Sequence, residues 1–193
     1  MLGIDGFTTR LGKSFRKFGT SVSGAFVGLF AAQKLFQVMS DGLNTVKEFE
    51  QGAANLASVL GTTSDGITAL TNDAKRLGAA TSFSAVQVTQ LQTEFAKLGF
   101  NEKEILNATE ATLDLAAATG SELSDAAAVA GATLGGFGLD AKETSRVTDV
   151  MAKSFSTSAL DLEKFKESMK SAAPAAKAVG ISVETTTALF CLL

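Results

Sequence analysis

The chain has 193 residues, 46% of them hydrophobic, and a formal net charge of −3. It contains no histidine, no tryptophan, no tyrosine and one cysteine, Cys191. These absences exclude histidine triads and general bases, Cys/His metal cages and any disulfide within the chain, and the acidic balance gives no bulk attraction to nucleic acid.

The first segment is basic, with Arg10, Lys13, Arg16 and Lys17 close together. Four cations on a short stretch read as a solvated helix face rather than a nucleic-acid patch. The apolar run "VSGAFVGLFAA" (Val22 to Ala32) then resembles the core of a signal sequence. It is too short to cross a bilayer as a helix, which takes ~20 apolar residues. It also continues into an amphipathic pattern without a clear cleavage site, so one long amphipathic helix is the preferred reading. Membrane contact through Val22–Ala32 is not favoured. Val22, Phe26, Leu29, Phe36, Leu43, Val46, Phe49, Ala53, Leu56 and Leu60 mark one apolar face, weakened at Gly42 and Gly52. Such a helix over 20–60 would be ~60 Å long at ~1.5 Å per residue. The chain thus divides into 1–60, a long coiled-coil-like helical segment, and 61–193, a compact multi-helix domain.

From residue 61 onward the sequence is punctuated. "GFNEKEI" at Gly99, "GLDAKET" at Gly138 and "GISVETT" at Gly180 share one order: glycine, a large apolar residue, then Asn, Asp or Ser. Glycine ends a helix in the left-handed conformation, which carries no Cβ penalty there. The apolar residue (Phe100, Leu139, Ile181) can pack back on the finished helix, and Asn101, Asp140 and Ser182 can cap the next. Glu104 and Glu143 stand where a capping box would place them. Ser84 and Gln87 have the same spacing, and Gly61, Gly78 and Gly120 mark further helix ends. Pro174 predicts a break near Ser171–Ala173, because proline lacks the N–H and clashes with the preceding turn.

Between joints the apolar spacing is helical: Val88, Leu91, Phe95 and Leu98, then Ile105, Leu106, Leu113 and Leu115, then Val147, Val150, Met151 and Phe155. No segment alternates with period two over a useful length. The fold class is all-α: a long N-terminal amphipathic helix, then a bundle or array of short helices with glycine-capped joints. The joints recur roughly every 40 residues, in the period range of helical repeats.

Candidate chemistry is thin. The carboxylate pairs Glu48/Glu50, Glu102/Glu104 and Asp161/Glu163 read as solvated surface. "GATLGGFG" (Gly131 to Gly138) follows a helix and has no lysine placed for a phosphate, so a turn or a close helix approach fits it better. Cys191, in "ALFCLL", has no base beside it and reads as a small buried hydrophobe. No catalytic, cofactor-binding or metal residue is assigned, and no cofactor is expected.

The ordered set "EFEQGAANLASVLGTT", "LTNDAKRLGAATSFSAVQVTQLQTEFAKLGFNEKEI", "LGGFGLDAKETSRVTDVMAKS" and "APAAKAVGISVETTTAL" resembles the phage tail tape measure proteins. The likeness is to the conserved helical region of the TP901-type family, over about residues 46–190. It implies a structural virion protein, not an enzyme, that sets tail length and scaffolds tube assembly. The implied location is the virion tail, and the host cytoplasm during assembly. Implied partners are copies of itself, the tail tube protein, tail assembly chaperones and tail tip or baseplate proteins. The pattern is structural and carries no catalytic residues with it. Many members are far longer, and the chain ends on "ALFCLL" without a closing glycine joint. It therefore reads as a fragment, a truncated frame or an unusually short relative. Two other readings stay open: a helical-repeat adaptor, and a secreted or membrane-active helical protein.

Overall fold

The computed structural model describes residues 43–158 and 161–192. Arg10, Lys13, Arg16, Lys17, Val22–Ala32, Phe36 and Gly42 lie outside the described residues, so the expectations placed on them are not addressed by the fold. The chain divides into two units, Met1–Lys47 and Glu48–Leu193. Of the first, residues 43–47 are described; they are helical and exposed.

Every regular element among the described residues is helical. The eight helices are α1 (43–59), α2 (Thr68–Ala80), α3 (Ala85–Lys97), α4 (Glu102–Thr119), α5 (Leu123–Phe137), α6 (Thr144–Thr157), α7 (Leu162–Ala178) and α8 (Val183–Phe190). Short 3-10 turns precede α2 (Asp65–Ile67) and α6 (Ala141–Glu143). The all-α expectation holds.

Five joints share one hydrogen-bond pattern. Gly61, Gly99, Gly120, Gly138 and Gly180 all have positive φ, between 64° and 90°. In each case the next residue's N–H reaches back to a carbonyl five residues earlier: Thr62 to Ala57, Phe100 to Phe95, Ser121 to Ala116, Leu139 to Leu134 and Ile181 to Ala176. This is the Schellman closure, which satisfies carbonyls that the helix end would leave orphaned. Phe100 also stacks on Phe95, with ring centroids 5.2 Å apart. Leu139 packs half-buried on the core. Ile181 departs from the expectation and stays exposed, at 38%.

The following helix starts are capped as their sequence suggests, with one exception. Asn101 Oδ1 accepts the Glu104 N–H at 3.1 Å, and Glu104 Oε2 accepts the Asn101 N–H at 2.8 Å. Ser84 and Gln87 form the same reciprocal pair. Ser182 Oγ accepts the Thr185 N–H. Asp140 instead accepts from Lys142, two residues on, because the chain first makes the 3-10 turn. That geometry removes Glu143 from its expected capping box, and its carboxylate pairs with Arg146 at 2.7 Å.

Two further expectations are overturned. Gly78 does not end a helix: α2 runs on to Ala80 and is capped at Thr81. A Cβ on Gly78 would lie 2.5 Å from the Ala85 nitrogen, so this glycine admits the start of α3. Pro174 does not break α7, which is continuous from Leu162 to Ala178. Its carbonyl partner would be Lys170, and both residues lie on the exposed face of the helix. Water can hydrate the carbonyl that proline leaves without a donor, so the cost of the interruption is reduced.

The helices form a two-layer array in which alternate members pack together. α3 lies on α5 and α5 on α7, while α4 lies on α6 and α6 on α8; α2 is held by α3 and α4. The core has two contiguous parts. Leu56, Ile67, Leu70, Leu77, Leu91 and Phe95 are central to the first. Leu115, Leu134, Val147, Met151, Phe165 and Met169 are central to the second. Phe83, Phe100 and Leu123 pack half-buried against both. Residues of α1 and the turn after it complete the first part: Leu56 and Ala57 are buried, with Phe49, Ala53 and Leu60 packed beside them. "GATLGGFG" falls within and just after α5, where a Cβ on Gly136 would lie 2.8 Å from the Ala173 Cβ on α7. A close helix approach is therefore what Gly136 provides, while Gly138 closes the helix in the left-handed conformation.

Buried threonines sit comfortably in this small-residue core. Thr89, Thr93, Thr109, Thr112 and Thr148 each donate their hydroxyl to the carbonyl four residues earlier in their own helix. That bond offsets the desolvation of a hydroxyl that would otherwise be orphaned.

Candidate functional site

Two arginines tie one helix to another. Arg76 on α2 bonds Asp73 in its own helix at 2.8 Å and Glu110 on α4 at 2.9 Å. Arg146 on α6 repeats the arrangement, with Glu143 three residues before it and Glu184 on α8. Both clasps join successive helices of one layer. Hydrogen bonds donated to Asp73 and then Glu110 raise the Arg76 pKa, and those donated to Glu143 and then Glu184 do so for Arg146. The Glu184 carboxyl is held below the usual range, first by its own backbone N–H and then by Ser182 and Arg146. Within the core, Gln92 Nε2 donates to the Leu70 carbonyl at 3.1 Å and ties α3 to α2.

The carboxylate pairs singled out in the sequence do not converge. Glu48 and Glu50 are exposed on α1. Glu102 and Glu104 lie in the first turn of α4, where Glu104 is used by the cap. Asp161 caps α7 by accepting the Lys164 N–H at 2.8 Å, and its pKa is lowered chiefly by that bond. Glu163 pairs with Lys166. Among the described residues no three His, Cys, Asp or Glu side chains stand where they could hold a metal ion. Cys191 is a half-buried free thiol.

A groove of about 550 Å³ opens where the α4–α5 and α6–α7 joints meet. Phe155, Ala152 and Leu162 line it, with Glu122, Asp125, Asp161 and Glu163 around them. Glu122 and Asp161 are the N-cap residues of α5 and α7, and Asp125 and Glu163 lie in their first turns. Carboxylates are favoured there by the positive end of the helix dipole, so the acidic lining has a structural cause.

What remains is apolar surface. Leu43 and Val46 on α1 are 61% and 54% exposed. A second group, Val179, Ile181, Leu189 and Leu192, surrounds the α7–α8 joint and the end of α8. Among the described residues no helix is long and apolar enough to cross a membrane.

A family model described as phage-related minor tail protein matches residues 71–193. The chain belongs to that family. Two relatives agree with it. The chain is 31% identical over 179 residues to the tape measure protein of Pneumococcus phage Dp-1, covering 91% of this chain and 15% of that protein. It is 31% identical over 180 residues to a probable tape measure protein of Escherichia phage P2, covering 92% of this chain and 22% of that protein. The chain therefore spans less than a quarter of the length of these curated relatives. No solved structure matches it. The tape measure resemblance read from the sequence agrees with these two relatives, a tape measure protein and a probable tape measure protein.

Proposed function

We propose that the chain is a structural, non-catalytic part of a phage tail tape measure, acting in tail assembly and in setting tail length. One observation carries this: the likeness to two tape measure proteins extends over nine-tenths of the chain. The fold is consistent with it. Some polar groups of the described residues are used in caps and in two inter-helix clasps, while apolar side chains remain at the surface. In this reading the N-terminal segment acts as a helical rod that meets assembly partners, and Glu48–Leu193 is the compact unit. Expected partners are further copies, the tail tube protein, an assembly chaperone and tail tip or baseplate proteins, in the host cytoplasm before the finished tail.

Mass spectrometry of purified tails, with electron microscopy of tails from a Phe26→Asp variant, tests the proposal. The chain should be found in tails, and the variant should give fewer or malformed ones. Absence of the chain from tails that assemble normally would defeat it. A second reading, a helical-repeat adaptor, is favoured by the alternate packing of the array. It predicts recovery in a cytosolic complex and not in tails.

A further inference from the structure

We draw no further inference here: the strongest candidate, the carboxylate-rimmed groove between the α4–α5 and α6–α7 joints, owes its acidic lining to the first turns of α5 and α7 and to pairing with Lys164 and Lys166, and nothing in the structure shows what covers it.

Discussion

Gly99 and Gly78 serve the fold for different reasons, and substitution should distinguish them. Gly99 has φ +90°, and nothing lies within 4 Å of where its Cβ would be. Gly99→Ala therefore meets conformational strain alone, about 1 kcal/mol. Gly78 has no left-handed backbone to protect, but its Cβ would fall 2.5 Å from the Ala85 nitrogen and 2.8 Å from the Ala85 Cα. Backbone cannot move aside as a flexible side chain can, so Gly78→Ala should cost more, about 1–3 kcal/mol from overpacking. Urea denaturation of the two variants checks the order; a larger loss at Gly99 would contradict it. Sequence spacing shows that a glycine is near a helix end, as it does at both positions. It does not show whether the backbone angle or an approaching chain requires it, which is why Gly78 reads as a joint when it is a contact. Asn101 and Ser84 were legible because a capping box is a local arrangement written within four residues.

Among the elements, α7 runs counter to expectation, since Pro174 sits inside it. Periodicity and proline chemistry give the cost of that residue but not which way it faces. Burial decides the outcome: Ala173 and Ala176 are buried while Pro174 is exposed. Packing of Phe165, Met169 and Ala173 against the core holds the helix together across the missing bond. Pro174→Ala should restore that bond and raise stability by about 1–3 kcal/mol, the gain being reduced by the freer unfolded chain. An unchanged or lower urea midpoint would show that the proline is not a cost to α7. The link between α6 and α8 makes a separate prediction. Glu184 has a lowered pKa in the folded chain, so its contribution is present above the unfolded value, about 4.3, and is lost as pH falls through the folded one. Glu184 is partly exposed, so the Arg146 clasp should contribute less than about 1 kcal/mol. Glu184→Gln should lower the urea midpoint slightly at pH 7, and the difference should shrink as pH falls below about 4.3. A deficit that stays constant as the pH is lowered would point to lost packing instead of lost charge.

At the scale of the whole molecule, α1 is the element with the most at stake. The roughly forty-residue rhythm of joints is legible in the sequence because each joint is local. Which helix covers which is not, because apolar stripes on α2, α3 and α4 do not name their partners. The fold supplies that information: Leu56, at 0% exposure, sits in the same cluster as Leu70, Leu77, Leu91 and Phe95. The family match begins at residue 71, yet this core draws on Phe49, Ala53, Leu56, Ala57 and Leu60. Burial of one leucine stabilises by about 1.5–3 kcal/mol, and total domain stability is typically about 5–15 kcal/mol. Removing all of α1 also uncovers the apolar side chains beneath it, which favours association through them. A chain beginning at residue 61 should therefore unfold at markedly lower urea than the full chain, with a broadened transition or aggregation. Leu56→Ala in the full chain should give a smaller loss of the same kind, about 2–5 kcal/mol. If the shortened chain is monomeric and unfolds at the same midpoint as the full chain, α1 is not part of the domain's core and the two-layer array is self-sufficient from α2 onward.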